Sequence, residues 1–527
     1  MDISTLLGAL RDARVYPHAA PDITVVHTHA SAVVLAGEHV YKLKKPVDFG
    51  FLDYSTVEKR RAMCEAEVEL NRRLAPGVYL GVVPIALENG RVVLGGSGEI
   101  VDYAVHMRRL PEEATLSQRV SAAPIQSATM ERIARMLAEF HRLARRGPDV
   151  SRWADFGRVR ENCRENFAGL ATHADLVAPR AELMRLELAT EAELTERHEL
   201  VERRAARNVP CETHGDLRLE HVYLLPDDEL CIVDCIEFAE RFRCADPIAD
   251  VAFLAMDLQA HGAWSAARTL LDSYFEASRD RDGRALVPLY LAYRSTVRAK
   301  VRAMQAASPG IPEAQRTRSL QLARAHIQLA VAELSAPDER PCVVLVGGLP
   351  GTGKSVLSEH LVDAGHFQWL RADAIRKELA GIDPHESGAS EVRSGIYTPA
   401  WNDRTYDECL ARARESLFRG GRVLIDASFK EERRRLAFVD VARDWGVPVR
   451  ILECVSPPNL VRKRLARRTK DPSDADWSIY EHVRATWEPF GPRTDELHDT
   501  IDTSGSPAES TANALAALAA CELANPS

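Results

Sequence analysis

Apolar residues in the first hundred positions fall into short runs and alternations, the pattern typical of β-strands. These segments are ITVVHT, SAVVLAG, HVYKLKK, GVVPIAL, RVVLGG and VDYAVHMRRL, and one helical segment, EKRRAMCEAEVELNRRLA, interrupts them. From about Glu113 onward apolar residues recur at helical spacing, as in MERIARMLAEFHRLA. The pattern predicts a two-lobed α+β domain, with a sheet lobe over residues 1–112 and a larger helical lobe over residues 113–335.

The second part of the chain has a different pattern. The segment SAPDERP, residues 335–341, contains two prolines and three charges and is typical of a linker. After it the apolar strands CVVLV, RVLIDAS and VRILECV alternate with helical segments. Such alternation predicts an α/β domain over residues 342–527, with a parallel sheet covered by helices on both faces. The alanine-rich stretch TANALAALAACEL predicts a terminal helix.

Composition narrows the function classes. A chain of 527 residues, 46% hydrophobic and 28% charged, indicates a globular protein with several cores. No stretch approaches the roughly 18 apolar residues that cross a bilayer, and the start lacks a secretion signal, so we expect a cytoplasmic protein without membrane partners. The net charge of −9 argues against a nucleic-acid partner and favours a small polar substrate.

The segment GLPGTGKS, from Gly348 to Ser355, follows a buried-type strand and precedes a helix. This arrangement is a phosphate-binding loop, because its backbone N–H groups can surround phosphates, Lys354 can reach the outer ones and the Ser355 hydroxyl can bind magnesium. The alternative is a glycine-rich turn without a ligand. The residues expected to bind ATP here are Gly348, Gly351, Thr352, Gly353, Lys354 and Ser355.

Two carboxylates downstream are candidates for the chemistry. LRADAIRKEL places Asp373 and Arg376 three positions apart, on the same side of a helical turn. There a carboxylate could accept the proton of an attacking hydroxyl while the guanidinium holds an anion; a surface ion pair is the alternative. The strand VLIDAS ends in Asp426, a position from which a carboxylate can hold magnesium.

A basic segment, NLVRKRLARRTKDPSDAD, contains a cluster of five cations, Arg462, Lys463, Arg464, Arg467 and Arg468. Such a cluster over the phosphates would stabilise charge on the transferring group, and a solvated helix face is the alternative. With these motifs, residues 342–503 resemble the small P-loop kinases, the group of polynucleotide kinase, the zeta toxins and gluconate or shikimate kinases. The resemblance implies phosphoryl transfer to a hydroxyl, with Asp373 of the D-x-x-R motif as base and Arg376 beside it. It also implies that Arg464, Arg467 and Arg468 belong to a lid over the phosphates.

The first domain carries a second set of motifs. HGD at His214–Asp216, followed by Asp234 in IVDCIEF, resembles the aminoglycoside phosphotransferase and choline kinase families, relatives of the protein kinases. The resemblance implies that Asp216 orients or deprotonates the acceptor and that Asp234 binds magnesium. It also implies that Lys42 pairs with the ATP phosphates and with an acidic residue of the following helix, either Glu67 or Glu65.

Two departures separate this domain from that pattern. The segment VVHTHASAVVLAGEHVYKL has no glycine before Gly37, so we expect looser cover over the phosphates than a glycine-rich turn provides. His221 occupies the position of an asparagine that binds the second metal, and imidazole is a poor ligand for magnesium. A retuned site that retains Asp216 and binds ATP weakly is one interpretation, and a fold without turnover is the other.

The combination of both domains with YKLKKPVDFGFLDYSTVEKRR resembles the bacterial bifunctional aminoglycoside phosphotransferase/ATP-binding proteins. The implied architecture is a protein-kinase-like domain followed by a P-loop kinase domain. We expect an ATP- and Mg²⁺-dependent kinase acting on a hydroxyl of a small molecule. The alternatives are a regulatory protein whose first domain is a pseudokinase, and a polynucleotide or nucleotide-sugar kinase of the toxin type.

Overall fold

A computed structural model describes residues 1–50, 52–382, 396, 398–467 and 476–525. These residues divide into two compact units. The first consists of Met1–Val159, Arg197–Asp257 and Ser265–Val287, and the second of Arg160–Glu196, Leu258–Trp264 and Pro288–Ser527. Each unit combines segments from different parts of the chain. The domain boundary expected between residues 335 and 342 therefore stays a prediction.

The α-helices are, in chain order, α1 (Ile3–Ala9), α2 (Val57–Asn71), α3 (Leu116–Ala122), α4 (Ser127–Leu143), α5 (Pro148–Ser151), α6 (Phe156–Ala171), α7 (Ala174–Val177), α8 (Arg180–Ala206), α9 (Glu240–Arg243), α10 (Pro247–Ala260), α11 (Trp264–Ser278), α12 (Val287–Ala307), α13 (Glu313–Leu334), α14 (Lys354–Gly365), α15 (Ala372–Leu379), α16 (Pro399–Phe418), α17 (Glu432–Asp444), α18 (Pro458–Ala466), α19 (Trp477–Ala485), α20 (Pro492–Asp495) and α21 (Pro507–Ala519). The strands are β1 (Ile23–His27), β2 (Ser31–Ala36), β3 (His39–Lys44), β4 (Tyr79–Glu88), β5 (Arg91–Leu94), β6 (Glu99–Arg108), β7 (Cys211–Glu212), β8 (Val222–Leu224), β9 (Leu230–Ile232), β10 (Cys244–Ala245), β11 (Cys342–Gly348), β12 (Gln368–Arg371), β13 (Arg422–Asp426), β14 (Val449–Val455) and β15 (His498–Asp502).

The first unit contains an antiparallel sheet of order β1-β2-β3-β6-β4-β5. Side chains alternate between its faces, as the strand period of two requires. Tyr41 and Leu43 of β3 pack with α1 in one core cluster. Lys42 and Lys44, on the opposite face, contact Glu67 of α2. This alternation directs two lysines of one strand toward the same helix.

The HGD segment lies between β7 and the β8–β9 hairpin, and Asp234 follows that hairpin. Helix α10 is apolar around its whole circumference and almost entirely buried, so it forms part of the core beneath this segment. The hairpin therefore brings the HGD segment and the Asp234 segment side by side.

The second unit contains a five-stranded sheet of order β12-β13-β11-β14-β15, in which every pair is parallel. Alternate residues of β11 enter different cores. Val344 and Val346 pack with α14 and α21, whereas Val343 and Leu345 pack with α15, α16 and α17. The predicted parallel sheet with helices on both faces is confirmed, and its carboxyl edge is where such domains bind ligands.

The helices α6, α7, α12 and α13 and the first part of α8 also pack together in the second unit, around Phe167, Leu186, Ala299 and Ile327. Within the described ranges, no helix is both long and apolar enough to span a bilayer.

Candidate active sites

The phosphate-binding loop connects β11 to α14 at the carboxyl edge of the parallel sheet. Gly348, Gly351 and Gly353 have φ angles of +132°, +77° and +98°, in the region that favours glycine. A Cβ at Gly348 would lie 2.5 Å from the carbonyl oxygen of Cys454, so this position excludes any side chain. The loop shape therefore depends on the glycines of the motif, and α14 begins directly at Lys354.

Lys354, Ser355 and Asp426 meet at this edge. Lys354 Nζ donates to the carbonyl oxygen of Leu349 at 2.9 Å, and the Ser355 hydroxyl hydrogen-bonds to Asp426. The register that pairs Val346 of β11 with Asp426 of β13 produces this approach. Burial raises the pKa of Asp426, and the charge of Lys354 opposes that rise. A hydroxyl and a carboxylate are the hard oxygen ligands that Mg²⁺ prefers, so these two residues fit a magnesium site.

Asp373 and Arg376 lie on the first turns of α15, directly after β12. Arg376 Nη1 donates to Asp373 Oδ1 at 2.5 Å, and Arg376 Nη2 donates to Asn402 Oδ1 at 3.1 Å. Arg371, the last residue of β12, has its Nε 4.0 Å from Asp426 Oδ2. Asp373 is close enough to Asp426 for its charge to contribute to the raised pKa of that residue. The tertiary structure thus brings the predicted base and the predicted magnesium ligand to the same edge.

Arg464 lies behind the phosphate-binding loop. Its Nη2 donates to the carbonyl oxygen of Thr503 at 2.6 Å, and its Nη1 donates to Ser456 Oγ at 3.1 Å and to the Thr352 carbonyl oxygen at 3.4 Å. The Thr503 hydroxyl also donates to the Thr352 carbonyl oxygen. These bonds connect the Thr352 carbonyl of the loop to the segments of Ser456 and Thr503 and stabilise the loop.

Arg467 and Arg468 are the other two arginines expected in the lid. Arg467 caps the carboxyl end of α18 and is exposed. Arg468 lies outside the described residues. Binding of ATP by Arg464 and Arg467 stays a prediction.

In the first unit, Lys42 is held by two carboxylates. Its Nζ lies 2.8 Å from Glu67 Oε1 and 2.7 Å from Asp234 Oδ1. Of the two acidic residues considered for this pairing, Glu67 makes the contact, whereas Glu65 pairs with Arg61 at 2.8 Å. Burial opposes the charge of Lys42, but Asp234 and Glu67 outweigh it and raise the pKa of Lys42 well above its ordinary value.

Asp234 has a left-handed backbone, with φ of +66°, and its N–H donates to the Tyr79 hydroxyl at 3.1 Å. The ammonium group of Lys42 holds the pKa of Asp234 well below its ordinary value. Asp234 is therefore a charged carboxylate at the mouth of the site, with its side chain 46% exposed. A charged, accessible carboxylate is a suitable ligand for Mg²⁺ bound to ATP phosphates.

His221 faces Asp234 from the catalytic segment. Its Nδ1 lies 2.7 Å from the carbonyl oxygen of Asp216, and Arg218 Nη2 lies 3.3 Å from its Nε2. His221 Nε2 is 3.6 Å from Asp234 Oδ2 and 3.8 Å from Glu220 Oε1. His221 Nε2 therefore lies among Arg218 and two carboxylates, and imidazole matches magnesium less well than an amide oxygen does.

The described residues contain no group of three or more His, Cys, Asp and Glu side chains that could hold a metal by themselves. Magnesium bound in either unit would therefore have to complete its coordination with phosphate oxygens and water, as is common for this ion.

Asp216 is paired with Arg218, a residue that the sequence reasoning missed. Arg218 Nη2 donates to Asp216 Oδ2 at 2.9 Å, and Arg218 Nε lies 3.1 Å from both oxygens of the carboxylate. Arg218 also pairs with Glu220, and these two carboxylates raise its pKa despite its burial. The position of Arg218 two residues after Asp216, in the same loop, was the available signal.

Asp250 accepts hydrogen bonds from the backbone of the HGD segment. The N–H groups of His214 and Gly215 donate to its two carboxylate oxygens at 2.6 and 2.9 Å. The His214 ring bonds to the Val233 carbonyl oxygen at 2.9 Å, and burial lowers the pKa of His214 to about 4. Asp250 thus holds the HGD backbone, and the buried His214 ring connects that segment to the Asp234 segment.

Two family models match the chain. The model described as "Phosphotransferase enzyme family" matches residues 54–287, and the model described as "AAA domain" matches residues 343–490. Both matched regions are of the kinase type, and they contain the two sites described above apart from Lys42 of the first and Thr503 beside the second.

The uncharacterized protein Rv2004c of Mycobacterium tuberculosis is 33% identical over 490 residues, which cover 92% of this chain and 93% of that protein. A sugar kinase structure from Janibacter sp. HTCC2649 is 21% identical, with a TM-score of 0.27, and covers 35% of this chain and 99% of that one. A choline/ethanolamine kinase family structure from Mesorhizobium loti is 12% identical, with a TM-score of 0.37, and covers 63% of this chain and 98% of that one. The chain belongs to the family of the Mycobacterium tuberculosis protein, and in it a phosphotransferase-family domain of protein-kinase-like fold precedes a P-loop kinase domain.

Proposed function

We propose that the protein is a magnesium-dependent kinase that transfers the γ-phosphate of ATP to a hydroxyl group of a small molecule, with one nucleotide site in each domain. The observation that carries this proposal is the meeting of Lys354, the Ser355–Asp426 pair and Asp373 at the carboxyl edge of the parallel sheet. A phosphate-binding loop beside a carboxylate at a helix start, here Asp373 paired with Arg376, is an arrangement suited to phosphoryl transfer to an alcohol.

In the second domain, the N–H groups of the loop and Lys354 would bind the phosphates. Ser355 and Asp426 would hold Mg²⁺, which neutralises charge on the phosphates when it is bound. Asp373 would accept the proton of the acceptor hydroxyl. Arg376, fixed between Asp373 and Asn402, would keep that carboxylate oriented toward the phosphates.

In the first domain, Lys42 would leave Asp234 for the phosphates, and Asp234 would then bind the metal. Asp216 would act as base. Its ion pair with Arg218 supports a retuned site, because a carboxylate stabilised by a guanidinium accepts a proton less readily. The same ion pair favours the second candidate function, a regulatory first domain that binds ATP without turnover.

Calorimetric titration with a non-hydrolysable ATP analogue and Mg²⁺ tests both sites. We expect two nucleotides per chain for the unaltered protein and one for either Lys354→Ala or Asp234→Ala. Lys59→Ala and Asp228→Ala, which change exposed residues, serve as matched controls and should retain two. Failure of the unaltered protein to bind any nucleotide would refute the proposal.

Turnover separates the two candidates. A metabolite library would be screened for ATP consumption with the unaltered protein, Lys354→Ala and Asp216→Asn. Turnover that survives Lys354→Ala and is lost on Asp216→Asn supports a catalytic first domain. If the unaltered protein binds two nucleotides and Lys354→Ala shows no turnover, the result supports the regulatory function. Tight binding of short RNA by the second domain would instead favour a polynucleotide kinase.

A further inference from the structure

The strand that carries Lys42 carries a second buried lysine. Lys44 lies two residues further along β3, on the same face, and only 1% of its side chain is exposed. Its Nζ lies 2.5 Å from Glu67 Oε2, the oxygen of Glu67 that Lys42 does not contact. Burial opposes the charge of Lys44, but Glu67 and Glu237 raise the pKa of Lys44 above its ordinary value. Lys44 is therefore a permanent cation beside the proposed nucleotide site.

Lys44 also forms an ion pair with Glu237, a buried residue three positions after Asp234. The Tyr54 hydroxyl donates to the same oxygen of Glu237 at 2.7 Å, and Lys44 Nζ lies 5.3 Å from the centre of the Tyr54 ring. Lys44 and Tyr54 belong to the sheet lobe, whereas Glu237 belongs to the segment that carries Asp234. Two side chains of the sheet lobe therefore hold that segment from one side.

The charges in this cluster explain why a second lysine is needed. Glu67, Asp234 and Glu237 are three carboxylates, and Lys42 and Lys44 are the two lysines that contact them. If Lys42 turns to the ATP phosphates, Glu67 and Glu237 still share Lys44. Without Lys44 they would be buried and uncompensated, an arrangement that destabilises proteins strongly.

We propose that Lys44 and Tyr54 are positioning residues. They keep Glu67 and the Asp234 segment in place while Lys42 leaves Asp234 for the ATP phosphates and Asp234 binds Mg²⁺. This inference rests on the nucleotide site proposed for the first domain. It assigns a role to Lys44 and Tyr54, residues to which the motifs of the first domain give none.

The test uses the full-length protein with Lys354→Ala, so that any bound nucleotide occupies the first domain. Affinity for ATP is measured with Mg²⁺ and with EDTA in place of Mg²⁺. Lys44→Met is compared with Lys45→Met, which changes the neighbouring lysine outside the cluster. We expect Lys44→Met to weaken binding of MgATP at least about tenfold and binding of metal-free ATP less than about twofold, because the displaced carboxylate matters only for the metal.

A double variant separates positioning from charge balance. Lys44→Met with Glu237→Gln removes Lys44 and one of its two carboxylate partners, so it is expected to regain part of the melting temperature that Lys44→Met loses. We expect it to retain the selective loss of MgATP affinity. Tyr54→Phe, which leaves every charge in place, should weaken MgATP binding in the same direction by about threefold, the effect of about 0.7 kcal/mol.

Three results would overturn the inference. In the first, Lys44→Met binds both forms of ATP like Lys45→Met. In the second, Lys44→Met weakens both forms equally and the double variant restores both, which would make Lys44 a purely structural charge partner. In the third, the Lys354→Ala protein binds no nucleotide, which refutes the proposed first-domain site as well. The first two leave that site intact.

Discussion

Arg464→Met is expected to lower the stability of the second unit and to have little effect on the rate of phosphoryl transfer. The sequence pattern suggested a lid arginine above the phosphates, whereas the side chain donates to the backbone and a hydroxyl behind the loop. Methionine retains much of the length and apolar surface of arginine but removes all of these donors. The substitution therefore isolates the hydrogen bonds.

The bond to Thr503 at 2.6 Å should contribute about 2 kcal/mol and the bond to Ser456 at 3.1 Å about 1 kcal/mol, as expected for hydrogen bonds from a charged donor and of ordinary strength. The bond to Thr352, at 3.4 Å, adds little. Water reaches the half-buried guanidinium and offsets part of this sum, so we expect a loss of about 2 kcal/mol in the free energy of unfolding. For a unit of this size the melting temperature should fall by about 3–4 °C.

The assay is thermal unfolding without nucleotide, combined with steady-state kinetics of ATP consumption. Arg462→Met is the matched control, because Arg462 is exposed on the same helix and stacks on Trp477, at 5.2 Å from the ring centre. We expect the control to melt within about 1 °C of the unaltered protein, as surface substitutions usually do.

The reasoning would be refuted if Arg464→Met melts like the control and its kcat falls by more than about a hundredfold. Such a pattern would mean that Arg464 leaves its carbonyl partners and stabilises the transferring phosphate, the role of a lid arginine.

Three further predictions concern single residues of the two sites. Asp373→Asn should lower kcat at least about a hundredfold and leave KM for ATP within about twofold, since Asp373 would act on the acceptor; unchanged kcat in steady-state kinetics would exclude it as the base. Gly348→Ala should abolish nucleotide binding at the loop in calorimetry, because the new Cβ would lie 2.5 Å from a carbonyl oxygen, whereas Gly310→Ala, also at positive φ but in open space, should bind normally. The pKa of His214 is about 4 in the folded protein, below the ordinary 6.5, so its contribution to stability is complete above pH 6.5 and is lost as the pH falls toward 4. Between pH 7 and 5 this loss should amount to about 2 kcal/mol in chemical denaturation, and His214→Asn should remove it.

Much of the fold was predictable because it is encoded in local patterns. Strand patterns in the first hundred residues predicted a sheet lobe, and strand–helix alternation after Pro341 predicted a parallel sheet; both sheets are present, and the first is antiparallel. The HGD and Asp234 motifs lie on either side of one hairpin, so their separation in the chain already implied that they meet.

Other features could not be read from the sequence because they depend on which residues packing brings together. Glu65 and Glu67 lie on one helix and fit the same motif, and only the orientation of α2 against β3 directs Glu67 to Lys42. Arg218 and Lys44 carry no motif of their own. Their partners were decided by the folding of the catalytic segment and by contacts across about 190 residues of chain.

The sequence by itself determined the phosphate-binding loop, because eight contiguous residues specify both its backbone shape and its ligand groups. The tertiary structure alone decided that Asp373, Asp426 and Ser355 share an edge of the sheet, since strand order sets which carboxyl ends are neighbours. It also decided that Arg464 bonds to Thr352, Ser456 and Thr503. A side chain bonds to whatever acceptor the packed backbone presents, and that acceptor lies far away in the sequence.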